Sequence, residues 1–592
     1  MKSKKKKILF GILTAVVLLV ASAVIIIADL ASFPGSIREA PFKNLVVAAG
    51  VKSSFHQGVV YRYPGFVPLL EVSGDSYEMG LQYGTLLRPE ILAALESLKK
   101  FFEWQASKMH LPYFLLTAGA KFKTRQMAPR LPVRYREELK GVADGSGVPY
   151  DSVVLVSLVY DLYQSLMACT GVLLRGPAGS IIQGRLNDTT GFGEMAGMMV
   201  VVRHKPRGFN AVTHLDPPLY LGVETGFNDR GLVIAGETLR VQKPNPRGFS
   251  HPFLMRMILE EAASLEEIYP FFDRYPQVGS DGCVWSDQRR GRGAVVELTP
   301  WGWSKKELGG PILWDFNRFY DPDLAKQQTA AVNISRVNLD REALASAFPQ
   351  KTEYSLQDAV DFVRNQTGPD GTDYSWEGTK MPVCNAATTQ MMIFDSRSEG
   401  FYLAVGPSFA SRRNICRVFS DFSRPPELSL PARAIQPLAE RAAEIDNRLD
   451  SEADKLRSFR QLAERNREDA NAQFLVAFKS FLYSKPEIFT QFAEKAFAQK
   501  PEVSDYRLFA GLAAYQKNDP AKAIALLEAM KARYPEQDLF RLTILERSWA
   551  GKDPRIAARY RTQRQGLLDR HGATSFFNKK LLPLLNALDP KK

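Results

Sequence analysis

The stretch that decides the fold reads Met167-Ala-Cys-Thr-Gly-Val-Leu-Leu-Arg-Gly-Pro-Ala-Gly-Ser-Ile-Ile-Gln-Gly-Arg-Leu-Asn-Asp188. Two short apolar runs, Thr170 to Leu174 and Ser180 to Gly184, flank the turn-forming residues Arg175 to Gly179. Apolar β-type runs separated by such a turn favour antiparallel pairing. The sequence therefore predicts a β-hairpin whose turn centres near Pro177.

Cys169 and Arg185 are equally far from the centre of this turn, so simple pairing places them opposite each other at the open end of the hairpin. The Cβ atoms of such partners lie about 4.5–5.5 Å apart. A guanidinium beside a thiol favours the thiolate, and with Asp188 close by the group can hold a polar substrate. The plain alternative is a half-buried strand cysteine with a surface arginine next to it.

A second motif precedes the hairpin. After a predicted strand at Val67 to Ser73, Asp75 and Glu78 have the spacing of a capping box that opens a helix. On that helix Gly80 and Gly84 lie one turn apart, which lets another element approach the helix backbone closely. If the two glycines are merely tolerated, no such approach is needed.

Both motifs resemble those of the cysteine N-terminal nucleophile (Ntn) hydrolases, in particular the acid ceramidases and the penicillin acyltransferase-like amide hydrolases. Cys169-Thr, followed by Gly184-Arg-Leu-Asn-Asp188, is similar to the start of the mature catalytic chain in those proteins. Gly74-Asp-Ser-Tyr-Glu-Met-Gly-Leu-Gln-Tyr-Gly84 resembles their opening motif. One position departs from the pattern, because Leu186 stands where many relatives have asparagine.

The resemblance covers roughly residues 67 to 410 and implies an α+β fold, the four-layer αββα sandwich. It also implies that the chain cuts its own bond between Ala168 and Cys169. Cys169 then carries a free α-amine, whose ordinary pKa of about 7.7–8.0 suits a general base at neutral pH. Its thiol attacks an amide carbonyl, and water later hydrolyses the thioester. The precursor becomes two associated chains.

By the same resemblance, three charged side chains serve the site. Arg185 orients the substrate or the nucleophile, and Asp188 binds the α-amine. The run Gly226-Phe-Asn-Asp-Arg-Gly-Leu-Val-Ile-Ala-Gly-Glu-Thr238 resembles the family strand that ends in a functional glutamate, which gives Glu237 a supporting role. The alternative for Glu237 is a solvated acid at a strand end.

The resemblance assigns the oxyanion hole to an asparagine. Ala330-Ala-Val-Asn-Ile-Ser335 lies where relatives carry an asparagine whose amide contributes to it, so we expect this role for Asn333. Such a donor is worth roughly 2.7–4 kcal/mol; a turn asparagine is the alternative. For the arginine that follows in acid ceramidases, Arg336 and Arg341 are both candidates. His214 is the histidine that competes as a catalytic base, unless it is structural.

Composition indicates a globular chain of two or three domains. It has 592 residues, 45% hydrophobic and 24% charged, with a formal net charge of +13. The sequence shows no nucleic-acid recognition motif, metal-ligand spacing, phosphate-binding loop or nucleophile-elbow serine. We therefore expect no nucleic-acid partner, metal or other cofactor. A disulfide among Cys283, Cys384 and Cys416 stays open, with no pair favoured.

The N-terminus predicts a membrane anchor. Five lysines lie within residues 2–7, and an uncharged run follows from Ile8 to Ile27. This run is long enough to cross a hydrocarbon core of roughly 30 Å. The lysines should stay in the cytoplasm, which places the chain after residues 1–29 in the periplasm or outside the cell. A signal peptide cleaved after Ala21-Ser-Ala23 is the alternative. Residues 30–66 predict an irregular leader.

Periodicity gives the elements of a predicted Ntn-hydrolase domain at residues 67–425, with its α-chain ending at residue 168. Helices are expected at 91–102, 133–141, 151–166 and 255–272. Strands are expected at 198–204, 210–214, 220–227, 232–237, 283–287, 293–298, 383–395 and 400–405.

The composition shifts after residue 425, where three prolines mark a linker. Lys-Pro501 and Tyr-Pro535 close helical stretches 34 residues apart, the period of tetratricopeptide units. Residues 432–592 therefore predict an all-α, tetratricopeptide-like domain. Its helices either bind a protein partner or another copy of the chain, or simply pack on the catalytic domain.

Taken together, the sequence predicts a membrane-anchored, self-processing amidohydrolase. It would cleave the amide bond of an N-acylated, amphiphilic substrate through a thioester on Cys169. An acyltransferase is the near alternative, because an amine can intercept a thioester in place of water. A catalytically silent, membrane-anchored scaffold that binds partners through the helical domain is the alternative from another class. Such a scaffold stays intact at the Ala168–Cys169 bond.

Overall fold

The structure is a computed structural model that describes residues 32–163, 167–189, 197–334, 336–368, 371–422 and 424–590. Packing divides the chain into two units. The first unit comprises Met1–Tyr163, Met198–Asp229 and Phe249–Glu261; the second comprises Gln164–Gly197, Arg230–Gly248 and Ala262–Lys592. The boundaries of the domains predicted from the sequence stay a prediction.

The strands, in chain order, are β1 (Val47–Ala49), β2 (Lys52–Phe55), β3 (Gly58–Tyr61), β4 (Leu69–Gly74), β5 (Met167–Arg175), β6 (Ile181–Thr189), β7 (Val200–Pro206), β8 (Val212–Asp216), β9 (Thr225–Asn228), β10 (Leu232–Leu239), β11 (Ser280–Asp287), β12 (Arg292–Thr299), β13 (Gly302–Glu307), β14 (Ile312–Asp315), β15 (Thr388–Asp395), β16 (Gly400–Val405), β17 (Ile415–Phe419) and β18 (Glu427–Leu430).

The α-helices of the described residues span Ser76–Leu86, Arg88–Lys108, Tyr113–Met127, Val133–Ser146, Tyr150–Ser157, Val159–Tyr163, His251–Glu261, Leu265–Arg274, Pro322–Ala325, Ala330–Ile334, Arg336–Ser346, Leu356–Val363, Pro437–Asn447, Glu452–Arg465, Ala470–Leu482, Pro486–Gln499, Ser504–Gln516, Pro520–Glu528, Pro535–Ala550, Pro554–Arg570, Thr574–Phe576 and Leu582–Asn586. The content is thus mixed α and β with a helical C-terminal region, as the sequence predicts at this coarse level.

The first unit contains strands in the order β1-β2-β3-β4-β7-β8-β9 and the helices that pack on them. β4 and β7 are parallel. The predicted capping box at the start of helix Ser76–Leu86 is confirmed, since Asp75 accepts from the main chain of Glu78 and Glu78 from that of Asp75, each at 2.9 Å. The box satisfies amides that the first helical turn leaves without partners.

Helix Ser76–Leu86 packs closely against helix Val133–Ser146. A Cβ atom on Gly80 would lie 2.0 Å from the carbonyl oxygen of Glu138, and one on Gly84 would lie 2.3 Å from that of Val142. Only glycine fits at these two positions, which confirms the close approach that their spacing predicts.

The sequence predicts an irregular leader at residues 30–66. The structure contradicts this for residues 47–61, which form the three short strands β1 to β3. Phe55 and Val60 are buried, and His56 takes a left-handed conformation with φ of 53° that joins β2 tightly to β3. The prolines and glycines of this segment lie outside the paired positions, apart from Gly58 at the start of β3.

Several predicted elements differ in extent. The expected helices 151–166 and 255–272 are each divided into two helices, because Leu158 and Ser264 leave helical geometry. Within the expected strand 220–227 only β9 is extended and paired. Helix Tyr113–Met127 has no counterpart among the predicted elements.

We find no helix in the described part of the chain that is long and apolar enough to cross a membrane. This finding contradicts the predicted single-pass membrane location. The run from Ile8 to Ile27, on which that prediction depends, lies outside the described residues.

The second unit stacks two sheets and a layer of helices. Strands β10 to β13 are antiparallel neighbours, and the second sheet runs β14-β5-β6-β15-β16-β17-β18. An apolar cluster that includes Leu173, Ala235 and Val284 fills the space between the two sheets. Helix Leu356–Val363 covers the opposite face of the second sheet through Val360 and Val363.

The predicted hairpin is formed by β5 and β6, which pair antiparallel. Arg175 pairs with Ile181, so the turn centres on Ala178 and not on Pro177. The shift has a backbone cause, since Ala178 (φ 57°) and Gly179 (φ 77°) both take left-handed conformations that complete the loop.

The C-terminal helices enclose their own apolar core, in which Phe474, Phe481, Phe489 and Phe509 lie against one another. They belong to the same unit as the two facing sheets. The helical character predicted from residue 432 onwards is confirmed, whereas the likeness to tetratricopeptide units stays a prediction.

A buried chain of polar groups lies within the first unit. Nη2 of Arg256 donates to Oε2 of Glu138 (2.7 Å) and to Nδ1 of His204 (3.2 Å). The Nε2 atoms of His204 and His214 are 3.2 Å apart, and Nδ1 of His214 lies 2.8 Å from Oδ2 of Asp216. All five side chains are buried.

These hydrogen bonds indicate where the protons of the two imidazole rings lie. Nδ1 of His204 also lies 3.2 Å from Oε1 of Glu138; because a guanidinium only donates, we assign this nitrogen as the acceptor from Arg256 and Nε2–H of His204 as the donor to His214. Nδ1–H of His214 then donates to Asp216. Both rings are therefore neutral, and burial, assisted by Arg256, lowers the pKa of His214 to about 3. His214 is the histidine that the sequence offers as a competing base.

We predict that acid destabilises the first unit through these histidines. The unfolded chain binds protons below the ordinary histidine pKa of 6.5, whereas the folded network does not. The stability that the neutral rings contribute is complete above this pH and is lost as the pH falls toward 3, by about 1.4 kcal/mol per pH unit for each histidine. His214→Gln keeps a donor and an acceptor without titrating, so the free energy of unfolding in urea should fall less steeply with acid.

The matched control is His110→Asn, because His110 is exposed and asparagine tolerates its left-handed backbone. The control should reproduce the acid dependence of the wild type. An equally steep dependence in His214→Gln would contradict the assignment of neutral rings.

Candidate functional site

Cys169 lies on β5 and Arg185 on β6. The observed register pairs Cys169 with Asn187 and Arg185 with Gly171, so the prediction that Cys169 and Arg185 are direct partners is wrong. They are instead diagonal neighbours on one face of the hairpin, a distance that a long side chain can span. Nη2 of Arg185 lies 3.5 Å from Sγ of Cys169, and both side chains are buried.

Glu237 lies on β10, in the sheet that faces β5 and β6. Arg185 donates to the carbonyl oxygen of Gly236 from Nη2 (2.7 Å) and Nε (3.2 Å), and its Nε lies 4.0 Å from Oε1 of Glu237. Among the described residues none donates a hydrogen bond to the carboxylate of Glu237. Burial raises the pKa of Glu237 well above its ordinary value, against the opposing effect of Arg185.

Two glycines provide the space that buried acids occupy here. A Cβ atom on Gly171 would lie 2.5 Å from Cγ2 of Val284 and 2.7 Å from Oε1 of Glu237. A Cβ atom on Gly282 would lie 1.7 Å from Oδ2 of Asp315. The absence of side chains at Gly171 and Gly282 therefore lets the facing sheets enclose Glu237 and Asp315.

Asp188 projects from the opposite face of β6 to Arg185 and Asn187, because successive strand residues alternate. Its Oδ1 accepts from Oγ1 of Thr388 (2.6 Å), and its Oδ2 accepts from Nδ2 of Asn385 (3.0 Å) and from Arg341. The carboxylate is thus held by three buried donors. That Asp188 binds the α-amine stays a prediction.

Asn317 is the residue that sequence reasoning misses. Its Oδ1 accepts the main-chain N–H of Cys169 (2.7 Å), and its Nδ2 donates to the carbonyl oxygen of Thr238 (3.0 Å), which fixes the orientation of the amide. Asn317 follows the end of β14 in a left-handed conformation with φ of 63°. A polar residue of a type that tolerates this conformation, placed directly after a strand, is the signal that could reveal it.

Arg341 is one of the two candidate arginines, and the structure places it in the site. Its Nη1 donates to the carbonyl oxygen of Cys169 (2.7 Å) and lies 3.3 Å from Oδ1 of Asn317, while Nη2 contacts Asp188. The side chain is completely buried. Arg341 therefore joins the main chain of Cys169 to the carboxylate of Asp188.

The remaining predicted residues are less defined. Asn333 belongs to helix Ala330–Ile334, and its side chain, like that of Arg336, lies outside the described residues. The oxyanion role of Asn333 stays a prediction. Cys169, Cys283, Cys384 and Cys416 are all free thiols.

The assembled site fixes one thiol from several directions. Arg185 approaches its sulfur, Asn317 holds the main-chain nitrogen of Cys169, and Arg341 holds the carbonyl of the same residue. A nucleophile needs this kind of restraint, because misplacement by about 1 Å can cost a factor of 10² in rate. The geometry suits covalent catalysis by the cysteine.

Comparison with known proteins shows which family part of this chain is similar to. Residues 174–379 match the family described as acyl-coenzyme A:6-aminopenicillanic acid acyl-transferase. The matched range contains Arg185, Asp188, Glu237, Asn317 and Arg341 and begins after Cys169. This match confirms that the chain resembles the penicillin acyltransferase-like Ntn hydrolases over that range.

Individual relatives are distant. An uncharacterized protein of Archaeoglobus fulgidus is 24% identical over 230 residues, 34% of this chain and 38% of the relative. The chain thus spans less than half of that relative. The N-acylethanolamine-hydrolyzing acid amidase of Caenorhabditis elegans is 24% identical over 274 residues, 41% of this chain and 76% of the amidase.

A solved structure of a mutant conjugated bile acid hydrolase from Clostridium perfringens overlaps 45% of this chain and 99% of that protein. The identity is 14% and the TM-score is 0.30.

We predict that Gly171→Ala destabilises the second unit. The added methyl group meets a branched side chain and a buried carboxylate at less than 3 Å, and such overpacking costs about 1–3 kcal/mol. Gly566→Ala is the matched control, because nothing lies within 4 Å of its Cβ position in helix Pro554–Arg570. The control should gain about 0.5–1 kcal/mol. The free energy of unfolding in urea measures both, and a Gly171→Ala protein as stable as the wild type would refute the proposed crowding.

Proposed function

We propose that this chain is a self-processing cysteine amidohydrolase of the Ntn class, with the αββα sandwich at residues 67–425. The observation that carries the proposal is the restraint of Cys169, whose main-chain nitrogen donates to Asn317 while its thiol lies beside Arg185. Every buried main-chain N–H needs an acceptor; here that acceptor is a side-chain amide whose orientation a second hydrogen bond fixes.

The nitrogen matters because it becomes the base. Attack of the Cys169 thiol on the carbonyl carbon of Ala168 converts the peptide bond to a thioester and frees the α-amine, and water then releases the preceding segment as a carboxylic acid. Asn317 offers the new amine an acceptor in the place where it held the amide. One N–H of the amine is thereby fixed, which leaves its lone pair free to take the thiol proton.

Turnover of substrate repeats the same chemistry. The thiol adds to the amide carbonyl of the substrate as the α-amine takes its proton. The α-ammonium then protonates the leaving amine, and a thioester remains on Cys169. Water then hydrolyses the thioester, which releases the acyl group as a carboxylic acid and regenerates the thiol of Cys169. Asn333 is the proposed donor to the oxyanion in both steps.

Charge at the site favours this sequence of steps. Arg185 places a cation near the sulfur, which stabilises the thiolate as it forms. Glu237 lies on the far side of that guanidinium and supports its orientation, although burial disfavours the charge of the carboxylate. We propose that Asp188 binds the α-amine of Cys169. The Arg341 guanidinium holds Asp188 beside that residue, because it contacts both Asp188 and the carbonyl of Cys169.

The proposed substrate is an N-acylated amine, in which an amide bond joins an apolar acyl group to the amine. The amidase from Caenorhabditis elegans is named for hydrolysis of N-acylethanolamines, and it supports an amide of this class for the present chain. Transfer of the acyl group to an amine is the second candidate, because the matched family is described as an acyl-transferase. New amides formed when amine acceptors are added would favour transfer over hydrolysis.

We predict that purified protein contains a chain that starts at Cys169 and that a Cys169→Ala protein does not. Intact mass and N-terminal sequencing measure this directly, at neutral and at mildly acidic pH. Hydrolysis is followed with the palmitoyl amide of 7-amino-4-methylcoumarin and with N-acylethanolamines. A folded, uncut and inactive wild type at both pH values would sink the proposal and favour a catalytically silent scaffold.

We also predict that Asn317→Gly slows both processing and turnover by about 10²-fold, the lower end of what a positioned general base contributes. Glycine tolerates the left-handed backbone of this position but offers no acceptor to the nitrogen of Cys169. First-order rate constants for the appearance of the Cys169 chain, with kcat for the amide, test this. Rates within twofold of the wild type would remove Asn317 from the mechanism.

A further inference from the structure

The C-terminal helices hold a segment that leads into the site. Trp376 donates from Nε1 to Oδ2 of Asp469 (3.1 Å), and the main-chain N–H of Gly378 donates to Oδ1 of Asn471 (3.2 Å). Thr379 donates from its main chain (3.0 Å) and its hydroxyl (2.9 Å) to Oδ2 of Asp505. All the acceptors belong to the helical region that begins at Pro437.

A second contact ties the helical region to helix Arg336–Ser346. Nη2 of Arg533 donates to Oδ1 of Asp340 (2.6 Å), and Nη1 of Arg533 lies 3.5 Å from Oδ2 of Asp505. The other oxygen of Asp340 accepts the main-chain N–H of Met381 (2.9 Å). Arg533 thus bridges two buried carboxylates, one on each side of the contact.

The two tethered elements are those that surround Asp188. Arg341, the residue after Asp340, contacts Asp188 and the carbonyl of Cys169. The segment held at residues 376–381 continues to Asn385 and Thr388, the other donors to Asp188. Arg341 therefore lies on a helix that the helical region contacts, and Asn385 and Thr388 follow a segment that it contacts.

We infer that the C-terminal helical region completes the catalytic centre, with Arg533 as the positioning residue that sets Arg341 through Asp340. This inference rests on the proposed function. Without Arg533, Asp340 and Asp505 face each other with no cation between them, and repulsion moves helix Arg336–Ser346. Arg341 then no longer reaches Asp188 and the carbonyl of Cys169 together.

The test compares full-length Arg533→Gln and Arg533→Lys with Arg564→Gln. Arg564 is the matched control, because it is also a half-buried arginine paired with an acid, but its partner Glu546 (2.5 Å) lies within the helical region. With the palmitoyl amide of 7-amino-4-methylcoumarin, Arg533→Gln should lower kcat and the processing rate at least 10-fold with KM within twofold. Arg533→Lys should recover part of the loss, and Arg564→Gln should match the wild type.

A merely structural role predicts another pattern, a lower unfolding temperature in both glutamine variants with the same kcat per folded molecule. That result overturns the inference. Adding Asp340→Asn to Arg533→Gln should restore part of kcat, because it removes one of the two repelling charges. A double variant no better than Arg533→Gln also overturns it.

Hydrogen–deuterium exchange separates this inference from the proposed function. Amide exchange in helix Arg336–Ser346 and at residues 185–189 should accelerate in Arg533→Gln and not in Arg564→Gln. If the wild type neither processes nor hydrolyses the probe, the proposed function fails, while this difference in exchange still supports the positioning contact. Equal exchange in the two variants overturns the contact whatever the activity.

Discussion

The contact between Arg341 and Asp188 connects the parts of this molecule on which the proposed chemistry depends. A fully buried guanidinium persists only where its charge is paired, because desolvation otherwise costs several kcal/mol. Arg341 pairs its charge with the carboxylate of Asp188 and donates to the carbonyl of Cys169, while its Nε has no hydrogen-bond partner among the described residues. One buried side chain on helix Arg336–Ser346 therefore joins β5 to β6.

The other buried ionisable groups indicate that the site lowers the stability of the folded protein. Glu237 and Asp315 are completely buried acids whose pKa values burial raises well above their ordinary values. Gly171 and Gly282 have no side chains to pack, and the acids occupy the space that a Cβ atom would fill. Buried acids and missing side chains in a core are typical of functional sites, and packing elsewhere must offset the stability that they cost. The apolar cluster between the sheets lies next to them.

Local features of the sequence were enough to predict the hairpin and the closeness of Cys169 to Arg185, since these depend on apolar runs, a turn and short spacings. The register was beyond reach, because it depends on left-handed backbone at Ala178, a residue type that seldom adopts it. Asn317 and Arg341 reach Cys169 from 148 and 172 positions away along the chain. Such contacts are decided by the packing of whole elements, which periodicity does not specify.

Strand β5 begins at Met167, two residues before the nucleophile, and its first positions pair with Asp188 and Thr189 of β6. The proposed cut before Cys169 would therefore shorten this sheet and free the edge of β6 that those two residues cover. Under the proposed function, the uncut chain would be a zymogen in which two residues of the β5–β6 ladder block the site. The freed edge would then offer main-chain donors and acceptors to another molecule.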